Sequence, residues 1–307
     1  MMNEVLLAAR GLTRWFGRRQ ALHGIDLDLR RGEVLGFLGL NGAGKSTTMQ
    51  ILCGALAPHA GTVEICGHAL STAPRAAKRL LGYLPEEPPL YADMLVDEYL
   101  ATAAHLRLVP PGHIADAVQR ARALCGLGDV GGRLIAHLSK GYQQRVGIAQ
   151  AIVHSPPVLL LDEPTSGLDP LQIRDVRELI RTLGRDCAII LSTHILPEAQ
   201  ALAQRIVILH EGRIVHDQAQ STLRGLRVRF VQAEVNSVAR ALATLSEVAS
   251  ARQQGDAWLL ETPAPDTLAP ALAALAHQHG WGLRELTPDY DALEARFARL
   301  TAGAEAA

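Results

Sequence analysis

Cysteine is scarce in this sequence: Cys53, Cys66, Cys125 and Cys187 stand far apart and form no C-x-x-C pair. That spacing excludes a disulfide framework and the usual zinc patterns, and makes reduced thiols the default. An excess of either charge is missing too, with 30 Lys+Arg against 31 Asp+Glu and a net charge of -1. The basic surplus of a general nucleic-acid binder is absent, so no nucleic-acid partner is expected. Long apolar runs are lacking. Stretches such as 158–161 and 188–191 suit buried strands and fall far short of the ~20 residues of a spanning helix. The opening Met1-Met2-Asn3-Glu4 has no basic region followed by an apolar core, so no signal peptide is expected. Any membrane connection would run through a partner. Aromatic residues are only 4%, whereas hydrophobic residues reach 48%, which supports a sizeable core in a helix-rich chain rather than disorder.

What is present is an alternation of strand and helix signals. Residues 5–9 and 21–29 read as strands, the second alternating Asp26 and Asp28 with Ile25, Leu27 and Leu29. An apolar run at 34–38 precedes a glycine-rich loop and a helix over 45–55. Further strands are expected at 62–66, 158–161 and 187–192. Helices are expected over 97–124, interrupted at Pro110-Pro111-Gly112, and over 143–153. Very apolar strands alternating with helices predict a parallel α/β sheet. Near 218–225 the pattern changes. Strand (227–235), helix (237–245), strand (247–253), strand (257–262), helix (266–279) and strand (282–287) follow, with a last helix over 290–300. That is the β-α-β-β-α-β order of a small α+β, ferredoxin-like module. Two domains are therefore expected, 1–220 and 226–307.

Gly39-Leu40-Asn41-Gly42-Ala43-Gly44-Lys45-Ser46-Thr47 fits G-x-x-x-x-G-K-[ST], after an apolar strand and at the start of a helix, the context this phosphate loop requires. Glycines let the backbone wrap an anion with its N–H groups inward, and the helix N-terminus adds partial positive charge. Lys45 supplies a full charge for the β- and γ-phosphates, and the Ser46 hydroxyl is a Mg²⁺ ligand. Alone, the motif says only that the chain is a P-loop NTPase.

A second apolar strand ends in Asp162-Glu163-Pro164. Ligands of α/β sheets sit at the carboxyl ends of strands. Asp162 is placed to hold Mg²⁺, and Glu163 to act as base toward the water attacking the γ-phosphate. The same three residues are also good turn chemistry, so the pair does not stand by itself. Thr165-Ser166-Gly167-Leu168-Asp169-Pro170 follows at once, and Ser192-Thr193-His194 ends the next buried strand. A neutral imidazole there can orient the water; an isolated histidine is more often an ordinary surface or core residue.

Leu138-Ser139-Lys140-Gly141-Tyr142-Gln143-Gln144-Arg145, ahead of the Asp-Glu strand, closely resembles the signature sequence of ABC ATPases. With the phosphate loop, Asp162, Asp169 and His194 in the family's order, the resemblance covers roughly residues 4–218. It implies a P-loop NTPase fold of the ABC type, a RecA-like core plus a helical subdomain. Position by position, it implies that Phe16 stacks on adenine and Gly39 to Thr47 cradle the phosphates. Ser139 and Gly141 would reach the γ-phosphate held by a second subunit, and Asp169 would communicate between the two sites. One set of motifs per chain implies a second ATPase subunit, taken as a homodimer, and a separate transmembrane permease. The implied function is ATP hydrolysis at the dimer interface driving transport, with the subunit at the cytoplasmic face of the cell membrane. Two departures stand out: Leu-Ser-Lys-Gly-Tyr replaces Leu-Ser-Gly-Gly-Gln, and Gly82-Tyr83-Leu84-Pro85-Glu86 carries Glu86 where the family has a Mg²⁺-linked Gln. Glu86 is still an oxygen donor for Mg²⁺. Both, with Glu87-Pro88-Pro89-Leu90-Tyr91, resemble the branch serving gliding-motility and multidrug-type exporters.

The competing class is a soluble ABC ATPase of DNA repair or translation. The first kind carries coiled-coil or zinc-bearing insertions between phosphate loop and signature, and this gap has neither heptads nor paired cysteines. The second needs two ATPase sets in one chain. A binding-only regulator would lack the reactive residues, yet Lys45, Asp162, Glu163 and His194 are all present.

Overall fold

The computed structural model describes residues 4–219, 224–231 and 233–289. The chain divides into two compact units, Met1–Gln220 and Ser221–Ala307.

In the first unit β1 (Val5–Phe16) and β2 (Arg19–Arg30) form a hairpin across Gly17-Arg18. A connection that short joins only antiparallel strands. With β4 (Ala60–Ile65) and β5 (His68–Ala69) they make a sheet of their own in the order β2-β1-β4-β5. The parallel sheet expected from the apolar strands is thus accompanied by this antiparallel one. β1 also runs on to Phe16, past the expected end at residue 9. A register shift between Ala9 and Leu12 breaks the apolar alternation there without ending the pairing.

The second sheet of this unit contains β3 (Val34–Leu38), β6 (Leu81–Leu84), β7 (Val158–Asp162), β8 (Ala188–Thr193), β9 (Arg205–His210) and β10 (Arg213–Ala219), in the order β10-β9-β3-β8-β7-β6. All neighbours are parallel except β10, a hairpin partner of β9. β3, β7 and β8 are buried along their whole length, which is why they read as unbroken apolar runs. The helices are α1 (Lys45–Leu52), α2 (Pro74–Arg79), α3 (Val96–Leu106), α4 (Ile114–Leu124), α5 (Lys140–Ile152), α6 (Pro170–Leu183) and α7 (Leu196–Leu202). α3, α4 and α5 pack on one another. The core gathers Phe37, Met49, Leu160, Ile190 and Val207 with the inward side chains of β1 and β2. All four cysteines are free; burial pushes the Cys125 thiol up to about 12 and Cys187 to about 11, so neither is a nucleophile near neutrality.

The second unit runs β11 (Arg224–Val231), α8 (Val235–Leu242), β12 (Ser250–Gln254), β13 (Ala257–Thr262), α9 (Pro265–Gln278) and β14 (Gly282–Asp289). Its sheet order is β12-β13-β11-β14 with every neighbouring pair antiparallel, the split β-α-β arrangement. Val228, Trp258 and Leu260 from the sheet meet Leu242, Leu268 and Leu272 from the helices in its core. The helix expected over 290–300, with Tyr290, Leu293 and Phe297, lies outside the described residues.

Candidate functional site

Three neighbouring strands deliver the reactive groups to one edge. Leu38 at the end of β3 is in register with Thr193 at the end of β8, and Asp162 at the end of β7 is in register with Ser192. The phosphate loop, His194 and the Asp162-Glu163 pair therefore leave adjacent strands at the same level, the carboxyl edge where α/β sheets bind ligands. Gly44 precedes α1 at φ 106, a backbone conformation that excludes ordinary L-residues. A Cβ there would also lie 2.8 Å from Leu22 Cδ2. Asn41 and Gly42 are exposed, Ala43 is buried, and Leu40, Ser46 and Thr47 are half-buried at the mouth of the loop.

Lys45 is 5% exposed. Its Nζ donates to Gly39 O at 2.7 Å and Leu40 O at 3.3 Å, and pairs with Glu163 Oε1 at 3.3 Å. Glu163 Oε2 meets His194 Nδ1 at 2.9 Å. The three residues, distant in sequence, thus form one chain of contacts, with the His194 side chain 44% exposed at its outer end. A buried pair of this kind contributes little net stability, because desolvation offsets most of the attraction, but it fixes geometry. Glu163 sits at φ 48, outside the usual range for a residue with a side chain, at a cost of roughly 1–3 kcal/mol. Its N–H is held by Ser192, through Oγ at 3.0 Å and the carbonyl oxygen at 3.2 Å. The same Ser192 hydroxyl donates to Asp162 Oδ1. Ser192 thereby sets the aim of both acids.

The sequence reading passed over a second acid. Glu198, on α7 and 3% exposed, accepts the hydroxyls of Thr165 at 2.8 Å and Thr193 at 2.9 Å, and pairs with Arg177 of α6 at 3.6 Å. It ties the segment after Glu163 to the strand end that carries His194. The available signal was an acid four residues beyond His194 in an apolar stretch. Two glutamines of α5 act similarly: Gln144 donates to Pro164 O and Gln150 to Tyr83 O, both at 2.9 Å.

Ser139 caps α5, accepting from the Tyr142 N–H at 3.5 Å, and is exposed. The helix consequently starts at Lys140, three residues ahead of expectation. Gly141 packs against α6 so closely that a Cβ would lie 2.5 Å from the Gln172 amide. Lys140 Nζ lies over Gly167, in the space a Cβ there would take. Asp169 caps α6, accepting from Leu171 N at 3.0 Å and Gln172 N at 2.9 Å. Phe16 closes β1, 49% exposed, with the Arg14 guanidinium 5.1 Å from its ring centre. Glu86 is exposed and, among the described residues, its carboxylate makes no ion pair or hydrogen bond.

Among the described residues no group of three or more His, Cys, Asp or Glu is placed to hold a metal by itself. The donors at the strand ends are oxygens, from Ser46 and Asp162. That fits Mg²⁺, which takes one or two protein oxygens and completes its shell with phosphate oxygens and water. No helix among the described residues is long and apolar enough to cross a membrane.

The family model described as ABC transporter matches residues 22–166. The bacitracin transport ATP-binding protein BcrA of Bacillus licheniformis is 30% identical over 246 residues, which are 80% of this chain and 79% of that protein. The lantibiotic transport ATP-binding protein SrtF of Streptococcus pyogenes is 34% identical over 226 residues, 73% of this chain and 96% of its own. A solved structure of an ATP binding subunit of an ABC transporter superimposes with a TM-score of 0.64 at 33% identity, over 70% of this chain and 90% of that one. With the phosphate loop, the paired acids and the signature helix in place, the chain belongs to the ABC transporter family, as an ATP-binding subunit that hydrolyses ATP.

Proposed function

We propose that two copies of this chain close around two ATP molecules, and that hydrolysis drives export through a separate permease at the cytoplasmic face of the membrane. In each site Gly39 to Thr47 hold the phosphates, Lys45 leaves Glu163 for the β- and γ-phosphates, and Glu163, aimed by His194, takes the proton of the attacking water. Phe16 stacks on adenine. Ser46, Asp162 and Glu86 would supply the protein oxygens that hold Mg²⁺, which when bound would spread the phosphate charge. Ser139 and Gly141 of the other copy complete the site, with Asp169 beside them. The observation that carries this reading is a division of labour. One chain gathers Lys45, Glu163 and His194, while its Ser139 stays exposed at a helix N-terminus, a ready anion ligand. The outward direction is supported by the resemblance of residues 82–91 to exporter ATPases, and transport of bacitracin or lantibiotics by two relatives supports cargo of that kind. The unit built from β11 to β14 would regulate or stabilise the pair. Sedimentation of the Glu163→Gln chain with and without Mg·ATP tests the pairing: a dimer that forms only with ATP is expected. A chain that stays monomeric at saturating ATP, with turnover independent of protein concentration, overturns it.

A further inference from the structure

The carbonyl oxygen of Leu81, at the amino end of β6, receives Arg107 Nη1 at 3.1 Å and His154 Nε2 at 3.3 Å; Arg107 Nη1 also donates to Lys78 O at 3.0 Å. Beside them opens a cleft of about 340 Å³. It lies at the opposite end of the sheet from the phosphate loop. Its polar wall is formed by Arg79, Arg107, His113, Arg120 and His154, and no carboxylate lines it. In a chain with 30 basic and 31 acidic residues, such a one-sided lining is not composition at work. Among the described residues none of the three guanidinium groups pairs with an acid; Arg107 donates only to backbone carbonyls. Arg107 is half-buried and partly desolvated, whereas Arg79 and Arg120 stand exposed beside it, so the cleft concentrates positive charge that an anion would offset.

His154 adds a second, independent mark. Because Nε2 faces a carbonyl oxygen, it carries the proton, and Nδ1 is buried with no hydrogen-bond partner. Burial, and then the charge of Arg107, push this imidazole down to about 4, against a smaller upward pull from Leu81 O. A buried polar atom without a partner in the chain is met from outside it, by water or by a ligand's donor. Nδ1 can accept a hydrogen bond from a P–OH group, or take a proton once an anion offsets Arg107.

We propose that this cleft is a second anion site that takes a phosphate-bearing group. Guanidinium forks match phosphate oxygens in pairs. The volume is at the small end of ligand clefts, ~300–1,000 Å³, and exceeds what a bare phosphate needs. Val109, Pro110 and Val153 add an apolar wall for the organic part. Arg79 ends α2, Ala117 and Arg120 belong to α4, and Arg107 and Val153 directly follow α3 and α5, so an occupant would clasp the amino end of β6, the strand that leads to Glu86.

Calorimetry of inorganic pyrophosphate with the full-length Lys45→Ala chain tests this, since that change weakens the phosphate loop and leaves the cleft intact. One pyrophosphate per chain is expected, weakened about tenfold or more when Arg79→Gln and Arg120→Gln are added, the scale of a lost charge-assisted bond. Both arginines are exposed, so the double variant retains its fold. The His154 imidazole, followed by NMR, is expected to titrate at higher pH with pyrophosphate, and not in the double variant. Two sources of the phosphate are separated by co-sedimentation with phosphatidylcholine vesicles, with and without phosphatidic acid. Binding that needs the acidic lipid, is competed by pyrophosphate and is lost in the double variant assigns a headgroup. Pyrophosphate binding without vesicle binding assigns a soluble phosphorylated compound. No pyrophosphate bound by the Lys45→Ala chain, or an affinity unchanged by the double variant, overturns the site.

Discussion

Glu163→Gln keeps the shape of the side chain, removes its charge and its ability to accept a proton, and puts an NH₂ donor in place of one oxygen. Two consequences follow from the geometry, and they have opposite signs. Loss of a general base slows hydrolysis by roughly 10²–10⁴, or about 3–5 kcal/mol of barrier. Loss of the carboxylate also releases Lys45 from the contact at 3.3 Å. The gross attraction across that distance is about 5 kcal/mol at an effective dielectric of ~20, and desolvation offsets most of it. Lys45 keeps its bonds to Gly39 O and Leu40 O, so the loop holds its form. ATP is therefore expected to bind at least as tightly as in the parent chain while single-turnover hydrolysis collapses. Titration with a fluorescent ATP analogue, beside quench-flow hydrolysis in the same buffer, reads both. Turnover within about tenfold of the parent would remove Glu163 from the role of base. Lost ATP binding with slow turnover would mean that the carboxylate is needed to shape the loop, and the opposition of the two effects would be refuted.

Other perturbations have equally definite outcomes. Lys45→Ala should lower ATP affinity and turnover together; if both persist, the phosphate-loop assignment fails. Glu198→Ala strands the Thr165 and Thr193 hydroxyls and Arg177, and should destabilise the first unit by about 3–5 kcal/mol in chemical denaturation, with Glu198→Gln costing less. A loss below ~1 kcal/mol would deny Glu198 its tying role. Acid should destabilise the chain through His154: the unfolded imidazole protonates near 6.5 and the folded one only near 4, so this stability is complete above pH 6.5 and lost as pH falls toward 4. The loss is bounded at roughly 3 kcal/mol, and His154→Gln should flatten that part of the pH–stability curve; an unchanged curve would show that His154 does not titrate this way. Glu86→Gln should leave basal hydrolysis within about tenfold, because the exposed carboxylate touches none of the cluster, and complete loss would make it a catalytic group.

The local parts of this protein were legible in its sequence because their chemistry is contiguous. The phosphate loop, the two acids after an apolar strand, and the signature helix each lie within about nine neighbouring residues, where backbone geometry alone relates one group to the next. Apolar runs read as buried strands for the same reason, and the order of elements in 224–289 named its own split β-α-β sheet. In the first unit, which strands become neighbours was not legible from the elements themselves. That β8 lies between β3 and β7, bringing Lys45, Glu163 and His194 into one chain of contacts, is decided by packing, as is the antiparallel sheet made from β1, β2 and β4. Glu198 and the Arg79–Arg107–Arg120 cleft had no motif to announce them, since their members come from separate elements and no fixed spacing relates them. Spacing along the chain encodes contacts made across one turn or one strand. Contacts closed over a hundred residues are written only in the joint burial of many side chains, and only the folded chain brings them together.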